Sequence, residues 1–207
     1  MSSRDDILAR IRANQPAPVA LPEVPAFDEA GGAPLRERFK AGVERMGGKV
    51  VDAPGGDLTA LVRSLHPGAK VVCSATPEVK GNEDLRSVRS PDELDSVDVG
   101  VVRARYGVAE TGSVWLTDAD FGVSALGFLS QHLVVLLDPA SIVPNLHHVY
   151  RHEGFRKARY AVLMTGPSAT ADIEGVLIRG AQGIRSLTVV PIPAPAVGAH
   201  VHERRTA

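Results

Sequence analysis

The stretch that decides the fold is His132–Leu137, which reads HLVVLL. Its apolar residues follow one another without the polar alternation of a half-exposed strand. A continuous apolar run of this length, bounded by polar and turn residues, is typical of a strand buried on both faces of a parallel sheet. Further strands are predicted on either side of it, at residues 49–52, 70–74, 97–103, 113–117, 160–165 and 187–190.

Segments with helical periodicity separate these strands. Leu35, Phe39, Val43 and Met46 fall on one helical stripe. Further helices are predicted after Asp57, after Ser90-Pro91, after Ser141 and within residues 166–180. Strands alternating with helices of about ten residues favour an α/β fold with three α/β/α layers and a mostly parallel sheet.

The length of 207 residues fits one domain of medium size with extensions. Residues 1–14 are predicted to form an amphipathic N-terminal helix, and residues 15–33 are a proline-rich linker. The α/β domain is expected over residues 34–192. Residues 193–207 are expected to form a flexible tail.

Composition excludes several classes of partner. The net charge is −1, so no basic field favours nucleic acid. No apolar run approaches the ~18 residues of a membrane span. The first residues are charged and lack the apolar core of a signal peptide, so we expect a cytoplasmic protein.

Cys73 is the only cysteine in the sequence. One cysteine cannot form an internal disulfide or hold an iron–sulfur cluster, which takes about four thiolates. It also cannot build a cysteine-based structural zinc site. Because no basic residue flanks it, we expect a buried core thiol rather than a reactive nucleophile.

Residues 166–174 read GPSATADIE and follow an apolar strand. Free N–H groups at the start of a helix here would bind an anion. A plain capped strand-to-helix turn is the alternative. It is favoured because Asp172 and Glu174 already complement the helix dipole and no Lys or Arg lies between Tyr160 and Ile178.

The second motif, AETGS at residues 109–113, lies between two apolar strands. Its glutamate, Glu110, is either an exposed turn residue, a carboxylate bonded to Thr111 or backbone amides, or a catalytic carboxylate. The sequence leaves these three alternatives open.

Other chemistry-bearing patterns are weak or missing. His148 and His152 share a helical face, but no third ligand is specified, so we predict no metal site and no bound cofactor. The sequence has no GxxxxGK[ST] loop, GxGxxG fingerprint or GxSxG elbow. The absence of these motifs argues against a nucleotide hydrolase, a standard dinucleotide-binding domain and an ordinary α/β-hydrolase.

The two motifs, as GVAETGSVWL at 107–116 and TGPSATADIE at 165–174, resemble the LUD-domain family and within it the lactate utilization protein C group. The resemblance covers roughly residues 3–192. It implies a fold similar to the NagB/RpiA/CoA-transferase group. It also implies a role in oxidising L-lactate to pyruvate, with iron–sulfur chemistry carried by partner proteins.

The sequence departs from the pattern of that family at four positions. Ala169 stands where a basic residue is frequent, Gln182 replaces a histidine and Ile184 a proline. Ser130 stands where a proline is usual. Losing a cation and an imidazole near a suspected anion site indicates a changed ligand.

Three functions follow from this resemblance and from the motifs. The first is a non-redox subunit of a lactate-oxidising complex with iron–sulfur partners. The second is a stand-alone enzyme acting on a small carboxylate, sugar phosphate or acyl-CoA, with Glu110 as nucleophile or base. The third is a non-catalytic protein that binds a carboxylate or acts as a scaffold. Candidate substrate-binding residues are Thr111, Gly112, Ser113, Gly166, Pro167, Ser168, Thr170 and Asp172.

Overall fold

A computed structural model describes residues 2–28, 32–53 and 55–195. The predicted strand His132–Leu137 is β6 and lies in the middle of a parallel sheet. Leu133 to Leu137 are fully buried, which confirms a strand covered on both faces. In order across this central sheet, the strands are β1 (Lys49–Val50), β11 (Ser186–Pro191), β6 (His132–Leu137), β3 (Val99–Ala104) and β2 (Val72–Ser74).

One face of the central sheet packs against helix α3 (Leu58–Leu65), which is capped by the side chain of Asp57. Val62 of this helix is buried against strand residues such as Val101 and Val134. The opposite face packs against α2 (Leu35–Arg45), α4 (Asp118–Phe121) and α5 (Leu126–Leu129). The prediction of a mostly parallel central sheet flanked by helices is confirmed.

A second sheet, which was not predicted from the sequence, packs on the same face of the central sheet as α2. Its strands in order are β7 (Ile142–Val143), β4 (Tyr106–Val108), β5 (Ser113–Thr117) and β8 (Ala161–Met164). Val114 and Leu116 of β5 join the core cluster of the central sheet, whereas Trp115 packs on the other side. Helices α6 (Leu146–Arg151) and α7 (Glu153–Lys157) cover that outer side.

The helix predicted within residues 166–180 is wrong. This segment forms a β-hairpin of β9 (Ala169–Thr170) and β10 (Ile178–Arg179). The Val176 N–H donates to the Ile173 carbonyl at 3.1 Å, and φ is positive at both Glu174 and Gly175. Two central residues with positive φ are the signature of a type I′ turn, which joins antiparallel strands.

The helix predicted to start at Ser141 begins later. Residues Pro139–Ser141 form a 3-10 turn and are followed by β7. Helix α6 begins only at Leu146, because the Asn145 side chain accepts the His147 N–H at 3.0 Å and caps it. The 3-10 turns Leu85–Ser87 and Pro91–Ser96 lie between β2 and β3.

The predicted N-terminal helix is present as α1 (Ser3–Ala13), and Ser2 and Asp5 form a capping box. The segment that follows has neither helix nor strand among its described residues. Its end contacts α6, where the Asn145 side chain donates to the Ala26 carbonyl at 2.7 Å and His148 pairs with Asp28. Residues 196–207 of the predicted tail lie outside the described residues. No helix in the described part of the chain combines the length and apolarity that crossing a bilayer requires.

Cys73 is a core residue, as predicted. It lies in β2, is fully buried and belongs to the main hydrophobic cluster. Burial, together with the nearby carboxylates of Glu83 and Asp84, raises the pKa of its thiol to about 11.

We therefore expect Cys73 in the native protein to resist alkylation. A thiol with a pKa of about 11 ionises roughly a hundred times less than an exposed one near neutral pH. The rate of iodoacetamide labelling, followed by mass spectrometry, should be lower by at least that factor in the native than in the urea-unfolded chain. Equal rates in the two states would contradict the buried environment.

Candidate functional site

The two motifs meet in the second sheet. Strands β5 and β8 are antiparallel neighbours, with Val114 opposite Met164. At the end of this pairing, the Ser113 hydroxyl lies 2.6 Å from the Thr165 hydroxyl, and the Thr111 hydroxyl lies 2.6 Å from that of Ser113. Three hydroxyl groups from two distant segments thus form one partly buried chain of hydrogen bonds.

Each motif also has a glycine whose backbone lies against α2 or against the residue that follows α2. Gly112 has a φ of +69°, and a Cβ atom there would overlap the backbone of Gly42 and Val43. Gly166 has a φ of +67°, and a Cβ atom there would overlap the Met46 carbonyl. Positive φ and close backbone approach are both conditions that only glycine meets without strain. These two candidate residues therefore have a structural reason to be glycine.

Glu110 is exposed, and its side chain lies beside the first residue of α6. Its carboxylate accepts the Leu146 N–H at 3.2 Å, and its backbone carbonyl accepts a hydrogen bond from Arg45 at 3.2 Å. A carboxylate that accepts a free N–H at a helix start stabilises that helix. This geometry matches the sequence alternative of a carboxylate bonded to backbone amides. A catalytic role for Glu110 stays a prediction.

A cavity of about 430 Å³ opens beside the second motif. It is lined by residues 127–128, 162–169 and 182–184. The predicted binding residues Gly166, Pro167 and Ser168 are in this lining. The other predicted binding residues, and Glu110, are outside it; these are Thr111, Gly112, Ser113, Thr170 and Asp172.

The backbone holds Ser168 firmly at the cavity wall. Its N–H donates to the Ile184 carbonyl at 3.0 Å, and its carbonyl accepts the Gly180 N–H at 2.6 Å. Thr170 and Asp172 lie further along the hairpin, where the Thr170 hydroxyl accepts the Asp172 N–H at 3.2 Å. The hairpin therefore carries these two residues away from the cavity.

The LUD domain family matches residues 82–192, which is more than half of the chain. This chain belongs to the LUD domain family. The uncharacterized protein YkgG of Escherichia coli is 31% identical over 110 residues, and the match covers 50% of this LUD domain protein and 45% of YkgG. Lactate utilization protein C of Geobacillus sp. is 26% identical over 170 residues, which are 76% of this chain and 68% of the relative.

A crystal structure of a DUF162 family protein from Deinococcus radiodurans has the same fold. The TM-score is 0.58 at 18% sequence identity, and the match covers 76% of this LUD domain protein and 95% of the other chain. The chain spans only about half of the E. coli relative, at 45%. Strand β1 and helices α2 and α3 precede residue 82, where the family match begins, although both helices pack on the central sheet.

Three of the four positions where this LUD protein departs from the expected family pattern line the cavity. They are Ala169, Gln182 and Ile184. The fourth, Ser130, is buried nearby and donates its hydroxyl to the Leu126 carbonyl at 2.8 Å. No charged side chain lies among the lining residues of this cavity. The cavity wall is neutral, with polarity from hydroxyl, amide and backbone groups.

Sequence reasoning missed two contributors to this LUD domain site. Phe128 lines the cavity from α5, and no motif marked it. Thr165 was read as the end of a strand, but its hydroxyl closes the hydrogen-bonded chain to the first motif. The antiparallel pairing of β5 with β8 brings Thr165 to Ser113, and strand pairing is not visible in single segments.

His148 on α6 and His152 just after this helix have separate partners. His148 pairs with Asp28 at 2.7 Å. The ring of His152 packs against Trp115 and Tyr106, and its Nδ1 accepts the Gly154 N–H. In the described ranges, no three His, Cys, Asp or Glu side chains converge as metal ligands.

Replacing Gly112 by alanine should destabilise the fold strongly, because the new methyl group would overlap the backbone of α2. We expect a loss of about 3 kcal/mol or more in the free energy of unfolding, measured with urea. Gly175→Ala is the matched control. Gly175 has the same φ of +69° but nothing within 4 Å of its Cβ position, so its loss should be about 1 kcal/mol. Equal losses would contradict the close approach to α2.

Proposed function

We propose that this LUD domain protein is the non-redox subunit of an L-lactate utilization system. Oxidation of lactate to pyruvate releases two electrons, which need an acceptor. The observation that carries the proposal is the burial of Cys73, the only cysteine, which leaves no thiolate to hold a cluster. Iron–sulfur partner proteins would therefore transfer the electrons. Relatives named lactate utilization protein C support the pathway.

Within such a system, the neutral cavity is the proposed site for a small carboxylate. The Ser168 hydroxyl and the Gln182 amide are hydrogen-bonding groups of the lining that suit carboxylate oxygens. Phe128 and Ile184 supply apolar surface for the rest of a small ligand. The hydroxyl chain of Thr111, Ser113 and Thr165 would hold the second motif in place, and of these three residues only Thr165 lines the cavity.

Binding without catalysis is the second candidate function. The cavity lining offers the hydroxyl groups of Ser168 and Thr165 as possible nucleophiles, but it contains no Asp, Glu, His, Lys, Cys or Tyr side chain that could activate them as a base. General acid–base and covalent catalysis usually rely on such groups. A carboxylate-binding or scaffolding role would need none of them.

Purification of the tagged full chain from its native host tests the subunit role. From cells grown on L-lactate, we expect proteins that contain iron and sulfide to co-purify with it. We expect far less of them from cells grown on another carbon source. Deletion of the gene should abolish growth on lactate. If no iron-containing partner co-purifies and growth is intact, the proposal is wrong.

Two substitutions test the cavity separately. Ser168→Ala and Gln182→Leu should each weaken binding of L-lactate or pyruvate about tenfold or more in calorimetry, since each removes a hydrogen bond to a charged ligand. Ser124→Ala is the control, because it removes a half-buried hydroxyl from the turn before α5, outside the lining. Unchanged binding in both cavity variants, or equal weakening in the control, would contradict the assignment.

A further inference from the structure

A second cavity, of about 320 Å³, lies at the amino-terminal ends of the central strands. The loop after α3 lines it with residues 65–69, and β6 contributes His132. Asp98, Gln131 and Arg185 complete the lining. This cavity shares no lining residue with the neutral cavity described above.

Two histidines form the wall of this second cavity. The rings of His66 and His132 stack with their centroids 4.4 Å apart and their planes inclined by 23°. Nδ1 of His132 is 2.8 Å from the Ser186 hydroxyl. Nε2 of His66 is buried and has no hydrogen-bond partner within the described residues. Buried polar atoms are nearly always paired, so an unpaired imidazole nitrogen beside a cavity calls for an explanation.

Cations outnumber anions around the two rings. Arg185, just before β11, lines the cavity, and Lys49 on β1 is near enough for its charge to lower the pKa of His66. Arg63 on α3 and Lys70 on the following loop lie on the His66 side. The one carboxylate of the lining is Asp98, which is already bonded.

The side chain of Asp98 accepts hydrogen bonds from backbone N–H groups. One of its carboxylate oxygens accepts the Lys70 N–H at 2.7 Å and the Val71 N–H at 2.9 Å. These bonds lower the pKa of Asp98, so it stays ionised near neutral pH. Its single charge does not balance the surrounding lysine and arginine side chains.

The surroundings of both imidazoles disfavour their protonation. Burial lowers the pKa of His66, and the charges of His132 and Lys49 lower it further. Burial also lowers the pKa of His132, and Arg185 adds to this effect while Asp98 opposes it. A negatively charged ligand would reverse the balance, because it favours the protonated form of each ring.

We propose that this second cavity binds a small oxyanion, with Arg185 as the charge partner and His66 and His132 as hydrogen-bond donors. The shared chemistry is an oxygen-rich anion, either tetrahedral, as in a phosphate or sulfate group, or planar, as in a carboxylate. Binding is coupled to proton uptake by the histidine pair. This site is additional to the carboxylate cavity and does not depend on it.

Sulfate and L-lactate are the two probes, because neither changes its own charge between about pH 6 and about pH 7.5. Calorimetry in the full chain should show binding of at least one of them that tightens about tenfold at the lower pH, as expected for uptake of about one proton. Because L-lactate is also proposed to bind the neutral cavity, the probe that changes the His66 and His132 resonances at the lower concentration identifies the shape of the anion. In proton NMR, the midpoints of the His66 and His132 titrations should rise when that probe is present.

Arg185→Gln and His66→Gln should weaken this binding about tenfold or more, and His66→Gln should also reduce its pH dependence. Arg89→Gln is the control, since it removes an exposed arginine that lines none of these cavities. Arg185 is also exposed, so its loss should leave the melting temperature unchanged. Ser168→Ala should retain sulfate binding and the probe-induced change of the His66 and His132 resonances, even though it weakens L-lactate binding in the carboxylate cavity, and this difference separates the two sites. The proposal is overturned if neither probe shifts the histidine resonances, or if Arg89→Gln weakens binding as much as Arg185→Gln.

Discussion

The close approach of α2 to two glycines is the constraint on which the rest of the structure depends. A Cβ atom at Gly42 would lie 2.8 Å from the backbone nitrogen of Gly112, so this helix and the first motif touch through their backbones. Gly166 makes the corresponding contact with Met46 just beyond the helix. On its other side, α2 buries Phe39 and Val43 in the core of the central sheet. One helix therefore contacts both the central sheet and the first motif of the second sheet.

This arrangement separates the residues that hold the site from the residues that form it. The first motif supplies a glycine to α2, a carboxylate to the start of α6 and hydroxyl groups to the chain that ends at Thr165. None of its residues lines the neutral cavity. The second motif both supports the cavity and lines it, because Gly166 contacts Met46 at the end of α2 and Ser168 belongs to the lining. A strong sequence signal at the first motif thus marks the support of the site more than its lining.

The central sheet could be predicted because its strands carry their own signal. The residues of β6 and β11 form apolar runs that fit burial on both faces, and they are buried there. The hairpin at 169–179 could not, because Ile173, Val176 and Leu177 have helical spacing. Those three side chains are 49 to 60% exposed, so burial gives a helix no advantage, and the positive φ angles at Glu174 and Gly175 favour a turn.

The histidine pair was invisible in the sequence for a different reason. His66 ends α3 and His132 begins β6, and no local pattern joins them. Their stacking follows from the register of the parallel strands and from the position of α3 on one face of the sheet. Contacts of this kind depend on topology, which a residue pattern predicts only in outline.

One short segment serves both cavities. Residues 182–184 line the neutral cavity, and the next residue, Arg185, lines the second cavity, which is the cationic one. The segment is pinned on both sides, since the Ile184 carbonyl accepts the Ser168 N–H at 3.0 Å and the Arg185 N–H donates to the Gln131 carbonyl at 2.7 Å. It then leads directly into β11, whose pairing with β6 fixes its position in the sheet. Two cavities of different electrostatic character can lie this close together because consecutive residues of one backbone segment, which the central sheet holds in place, line each of them.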